Sequence, residues 1–292
     1  SSDLPPKGVS AAIDAFTATL EPGQNTVVPF TIRWVSQVRK SPKPRTAKAI
    51  DKTVSGVREK LNAFGRNTFQ GVSHHLTWAA RDFLLSGDDS HARLCAQLID
   101  VMATHYAEEE VPPPTFVVRE LVMAVDQVEE SAALTDATRL QAAEWLRQMA
   151  EDSMAFWEMV KPVRRYNSGY LGPIWNHQTH PALGIAHAAL FLQARYSIPA
   201  ATYWNAVVDH LFSGQTSCAQ PLEDSANYQW LVPRQTAEYV LATGRLGEYF
   251  SDGVFQRCVD YTIASHDNQG SEATHGDAWM TSGSMAQPLL AL

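Results

Sequence analysis

Apolar residues in this chain recur every three or four positions, segment after segment, and that periodicity leaves few folds open. Val72, Leu76, Ala79, Ala80, Phe83 and Leu84 form one stripe; Leu94, Leu98, Val101 and Met102 a second; Val117, Leu121, Val125 and Val128 a third. Such a stripe is the buried face of an amphipathic helix. The same pattern predicts further helices at about 138–160, 178–196, 200–213, 230–243, 254–265 and 278–292. The stripes are separated by stop-and-start chemistry. Ser86-Gly87-Asp88-Asp89-Ser90 offers a C-terminal glycine followed by capping residues, and Leu134-Thr135-Asp136 offers another N-cap. Strand candidates are scarce. The best, Thr26–Ile32, contains Pro29, which demotes it to an edge strand or an extended segment. There is no βαβ alternation, G-x-G-x-x-G, P-loop or G-x-S-x-G, so nucleotide enzymes and the common serine hydrolases drop out.

A long series of antiparallel helical pairs closes into a solenoid or into a toroid. Solenoids carry a fixed-period sequence repeat, and none is found at 33–47 residues. The expectation is therefore an all-α chain, an (α/α)n toroid built as an incomplete barrel of helical hairpins. It is read as a single domain over 1–292, with 1–65 supplying an N-terminal extension and the first helices. The 292 residues, 45% hydrophobic and 18% charged, suffice for a folded core. The last segment, Met285–Leu292, is apolar, and whether the native chain continues past it stays open.

Charge and cysteine content narrow the partners. The net charge of −8 argues against general nucleic-acid binding, which needs a basic face. Residues 33–60 are a local exception, with nine basic side chains against two acids, read as a solvated loop and helix face rather than a polyanion-steering patch. No apolar run approaches the roughly 20 residues of a membrane span, and Ser1–Pro6 lacks a charged-then-apolar leader, so the expectation is a soluble chain or one matured by cleavage. Cys95, Cys218 and Cys258 form neither a disulfide framework nor a thiolate zinc spacing, and each sits among apolar neighbours.

Two segments concentrate polar and aromatic groups directly before apolar helices. One is Tyr166–His180, with Trp175, Asn176, His177 and Gln178 at the helix start; the other is Pro221–Trp230, with Glu223, Ser225, Tyr228 and Trp230. A helix start presents free N–H groups and a positive dipole end, a setting that favours a carboxylate.

Asn176-His177 opening one helix, followed 51 residues after His177 by Tyr228 in Glu223-x-Ser225-x-x-Tyr228 opening another, resembles the α/α-toroid polysaccharide lyases of the alginate lyase and heparinase-like group. The likeness is carried mainly by 165–245. Two departures leave subfamily and substrate open: no Arg stands just before the tyrosine, and no β-sandwich follows the helices. The resemblance implies metal-independent β-elimination on an anionic, uronate-containing polysaccharide, without a cofactor, by a secreted or periplasmic protein. It implies that Asn176 and His177 offset the charge developing next to the C5 carboxylate, while Tyr228 moves protons. His177 is the alternative base. Around them, Arg164, Arg165 and Arg234 are candidate carboxylate partners. Trp175 and Trp230 are candidate stacking platforms, and Gln178, Glu223 and His75 are further candidate substrate contacts.

Other readings remain open at this stage. His75 and His74 also fit buried, hydrogen-bonded structural histidines, and Glu223 or Asp224 fits a helix cap. A glycoside hydrolase on the same scaffold would need two flanking carboxylates, drawn from Glu223 or Asp224 with Asp277 or Asp82. A metal enzyme would use His177 and His180 with His74 or His75, although H-x-x-H lacks the zinc-helix spacing. A non-catalytic carbohydrate-binding protein is the remaining class, and oligomeric state is open.

Overall fold

The computed structural model describes residues 9–13, 32–36, 41–63, 68–108, 113–169, 175–216 and 231–251, with the single positions 253, 256, 257 and 260. The chain divides into two compact units, 1–43 and 44–292. In the first, β1 (Val9–Ile13) pairs antiparallel with β2 (Ile32–Ser36), Val9 opposite Ser36 and Ile13 opposite Ile32. The expected strand at Thr26–Ile32 meets β2 only at Ile32; its other residues lie outside those described.

The second unit is all-α among its described residues. It runs α1 (Ala47–Ala63), α2 (Thr68–Ser86), α3 (Asp89–Glu108), α4 (Val118–Val128), α5 (Asp136–Ala155), α6 (Trp157–Ser168), α7 (Asn176–Tyr196), α8 (Ala200–Thr216), α9 (Leu231–Thr243) and the short α10 (Leu246–Phe250). Most of the predicted stripe residues form its core: Val72, Leu76, Ala79 and Ala80 on α2, Leu94, Leu98, Val101 and Met102 on α3, and Leu121, Val125 and Val128 on α4 are buried, and Phe83 and Val117 pack partly buried against them. Leu84, counted in the α2 stripe, is instead exposed. Burying each large apolar side chain contributes roughly 1.5–3 kcal/mol. The predicted helix at 254–265 is described at only a few positions, and the one at 278–292 lies outside the described residues.

One boundary departs from expectation. The helix predicted at 138–160 is two helices, broken at Phe156, whose ψ of 148° is extended and whose N–H turns back to the Ser153 carbonyl. No Gly or Pro marks that break. α5 begins as its sequence implies, with the Thr135 hydroxyl accepting from the Thr138 N–H.

Helices pack with their sequence neighbours, α2 on α3 and α7 on α8, and also with the next helix but one: α2 on α4, α3 on α5, α5 on α7 and α7 on α9. α7 is the central member. Ala182, Leu183, Ile185, Ala186, Ala188 and Ala189 are all buried along it, so it is apolar around most of its circumference. Gly184 permits the α4 contact: a Cβ there would stand 2.8 Å from the Val118 Cβ. Two charged clusters tie helix ends together. Arg45 pairs with Asp82 at 3.4 Å and donates to His91 Nδ1 at 3.2 Å, joining the approach to α1 with α2 and α3. Asp209 on α8 accepts from Tyr239, Tyr249 and Arg245, holding α9 and α10 to it.

Candidate functional site

The first turn of α7 carries the Asn-His pair. Trp175 is the N-cap residue, extended at φ −116° and ψ 168°, and its side chain is 48% exposed. Asn176 is buried, Gln178 is buried, and Thr179 lies fully inside. His177 faces outward with 53% of its side chain exposed. Pro181 stands four residues after His177 and has no N–H, so no amide returns along the helix to the His177 carbonyl. The same offset recurs on α6, where Pro162 follows Glu158.

These side chains are held from three other segments. His177 Nδ1 lies 3.1 Å from Glu158 Oε1, and the other Glu158 oxygen accepts from the Thr115 hydroxyl at 3.4 Å. The Glu158 side chain is only 4% exposed. The Phe116 ring packs edge-on against His177, with centroids 5.5 Å apart, and tilts against His180 at 4.9 Å. From α9, Gln235 reaches both neighbouring residues: its Oε1 accepts from the Thr179 hydroxyl, and its amide nitrogen lies 2.9 Å from His180 Nδ1. An amide nitrogen only donates, so His180 Nδ1 accepts and its proton sits on Nε2.

Burial, then the positive Arg119, His177 and Arg234, push His180 down to about 4 from its ordinary 6.5, so it is neutral at neutral pH. A small pocket opens beside it between α4, α7 and α9, lined by Phe116, Arg119, Glu120, His180, Arg234 and Gln235 among others. Arg119 is committed to carboxylates, at 2.5 Å from Glu238 and 2.5 Å from Glu120. Burial alone would raise the Glu238 carboxyl, but the contacts of His187 and Arg119 outweigh it and hold that group below the ordinary carboxylate range.

The sequence-predicted residues divide accordingly. Trp175, Asn176, His177 and Gln178 share one helix start, and Arg234 joins them across the pocket beside His180. Arg164 is exposed on α6; the Arg165 side chain lies outside the described residues. His75 sits elsewhere, on α2, with its ring 4.0 Å from that of His74. Burial, then His74, Lys60 and Arg45, lower it to about 4. Glu223, Tyr228 and Trp230 lie outside the described residues; Leu231, three positions after Tyr228, opens α9. Asp82, one carboxylate weighed for hydrolysis, is held by Arg45. Among the described residues no group of three or more His, Cys, Asp or Glu is arranged to hold a metal ion, and no helix is long and apolar enough to cross a membrane.

Glu158, Thr115, Arg119 and Gln235 complete this site and were not foreseen. Glu158 lies 19 residues from His177 and Gln235 lies 55 from His180, so no local spacing encodes either pairing.

The chain has no match among known family models, curated proteins or solved structures.

Proposed function

We propose that this chain is a polysaccharide lyase that cleaves a uronate-containing polymer by β-elimination, its helical hairpins forming an (α/α)n toroid. The observation that carries the reading is His177: half-exposed at a helix start, its Nδ1 on a buried carboxylate, with buried Asn176 before it and an exposed Trp175 beside it. The packing of α9 against the same end of α7 through Gln235 adds support, because the Glu223-x-Ser225-x-x-Tyr228 segment leads directly into α9.

In the reaction the C5 proton leaves to a base and its electron pair is taken up by the C5 carboxylate as an enolate. That pair returns to form the C4=C5 double bond as the C4–O4 bond breaks with its own pair on O4, which takes up a proton. Asn176 and His177 offset charge on the C5 carboxylate as it becomes enolate-like, a role in which fixed donors lower the barrier most. Tyr228 passes the proton to O4. The C5 proton goes to Tyr228 or to His177 Nε2, according to the face on which the sugar presents it. Arg234, on the pocket wall, pairs with a carboxylate of a neighbouring sugar, and Trp175 stacks on a pyranose face. No metal or cofactor takes part in this scheme. A secreted or periplasmic location follows from the polymeric substrate.

The test is an ultraviolet assay of chelator-treated protein against alginate, glucuronan, hyaluronan, chondroitin and heparan sulfate. Elimination yields a conjugated, absorbing uronate on at least one polymer. Reducing ends without absorbance would replace this reading with hydrolysis, and silence on every polymer would replace it with a binding role.

A further inference from the structure

We propose that Glu158 is the positioning residue for His177, fixing the proton of the neutral ring on Nδ1 and presenting Nε2 to the substrate. What His177 then does rests on the lyase reading; the pairing itself stands on geometry. A carboxylate buried to this degree persists when its oxygens are satisfied, and the two partners described for Glu158 are Thr115 Oγ1 and His177 Nδ1. The hydroxyl donates to one oxygen, so the other is free to take the Nδ1–H. The edge-on Phe116 ring restricts rotation of the imidazole out of this contact. Without that carboxylate, a helix-start histidine with 53% of its side chain exposed would take the tautomer that water favours.

His180, one turn along, is set in the opposite sense. Its Nδ1 accepts from Gln235, so its neutral ring carries the proton on Nε2. Two histidines on one helix face thereby present unlike groups: an acceptor, or an imidazolium steadied by Glu158, at His177, and a fixed donor at His180. The pairing makes His177 suited both to taking a proton and to offsetting a carboxylate, since Glu158 holds the Nδ1 side of the ring and leaves Nε2 to face the substrate.

The experiment uses histidine-labelled protein and ¹H–¹⁵N spectra of the imidazoles across pH, assigned with His177→Gln, and needs no substrate. In the wild type, neutral His177 is expected as the Nδ1–H form and His180 as the Nε2–H form. In Glu158→Met, which removes the acceptor at similar size, His177 is expected to revert to the Nε2–H form that prevails in water. In Glu158→Gln, which keeps the shape and an oxygen that can still accept, neutral His177 is expected to stay in the Nδ1–H form, with the His180 tautomer unmoved. The other charged groups acting on this end of α7, Arg119 on α4 and Arg234 and Glu238 on α9, are unaltered in both variants. Should either variant fail to fold, Thr115→Val is the second probe. It removes only the hydroxyl and is expected to leave neutral His177 in the Nδ1–H form, because Nδ1 meets the other Glu158 oxygen.

An Nε2–H tautomer for His177 in the wild type, or a tautomer unchanged by Glu158→Met, would overturn the proposal. The ultraviolet assay is read separately. Loss of at least tenfold in kcat for Glu158→Gln, with KM within about threefold, extends the positioning role to turnover. The expected spectra with no cleavage of any polymer would support the Glu158 pairing and overturn the lyase reading instead.

Discussion

Two places on this molecule carry nearly the same kit. On α7 it is Trp175, His177 and His180; on α2 it is His74, His75 and Trp78, and both tryptophans are about half exposed. The difference lies in what other helices bring. His177 meets Glu158 from α6 and His180 meets Gln235 from α9, so each ring has a fixed proton and a fixed direction. The α2 histidines lean on each other at 4.0 Å, and His74 leans on Trp78 at 4.6 Å. The charges acting on His75 are those of His74, Lys60 and Arg45, all cationic when protonated. Burial, helped by nearby cations, keeps His75 and His180 neutral alike, whereas the partners that aim a ring, Glu158 and Gln235, are found at the α7 site. The comparison teaches that residue type and helical spacing nominate a site, and that distant hydrogen-bond partners decide between nominees.

The largest effects should fall on one side of this comparison. Tyr228→Phe is expected to abolish turnover while leaving folding and polymer binding nearly intact, since one hydroxyl is lost. Asn176→Ala and His177→Ala should each lower kcat by 10²–10³, about 3 kcal/mol of transition-state stabilisation, as lost oxyanion donors do. His75→Ala, measured in the same ultraviolet assay, should stay within about threefold of wild type. Equal damage from His75→Ala and His177→Ala would dissolve the distinction between the two clusters, and full activity in Tyr228→Phe would remove that residue from the mechanism.

A smaller loss is expected from a change that touches neither cluster. α4 and the turn before it deliver Arg119 and Phe116 to the α7 site, and α4 approaches α7 at Gly184, where a Cβ would meet Val118 Cβ at 2.8 Å and the Arg119 amide nitrogen at 3.3 Å. Gly184→Ala gains helix propensity but must push backbone, so it should destabilise by about 1–3 kcal/mol, read as a lower Tm. An unchanged Tm would mean that α4 yields freely, and the α7 site would then lack the rigid wall that sets it apart from α2.

Much of this was legible in the sequence, and the limits are physical. The stripes on α2, α3 and α4 located the core, and the starts of α5, α7 and α9 fell within about two residues of their predicted places, because periodicity and caps are local signals. The Asn176-His177 pair was read at a helix start, where it stands. The break at Phe156 was not legible, since it carries neither Gly nor Pro. The partners of His177 and His180 were illegible for a related reason: Glu158 and Gln235 reach them through tertiary packing, which no spacing along one helix records. The strand β1 and most of β2 were missed as well.

Acid should erode both clusters, and by the same sign. His75 and His180 are each held at about 4 in the folded chain against an ordinary 6.5. As pH falls from about 6.5 to about 4, the unfolded chain takes up protons that the folded chain refuses, so the stability present above about 6.5 is lost across that interval. His180→Gln and His75→Gln should each flatten the pH dependence of Tm there, by up to one proton per histidine. A curve unaffected by either change would place the depressed groups elsewhere.

The smallest predicted effect separates the causes of these two depressions. Burial is the largest cause for both, but Lys60 contributes to His75 from α1, whereas His180 feels Arg119, His177 and Arg234. Lys60→Gln should therefore raise the His75 titration by a few tenths of a pH unit and leave His180 in place, as imidazole NMR would read directly. Added salt should reproduce part of the His75 change, because the Lys60 side chain is exposed and its field is screened over about 10 Å at 0.1 M. A shift of both histidines in Lys60→Gln would mean that the α1 charge reaches the α7 site, and the two clusters would then share one electrostatic field rather than stand as separate arrangements of the same residues.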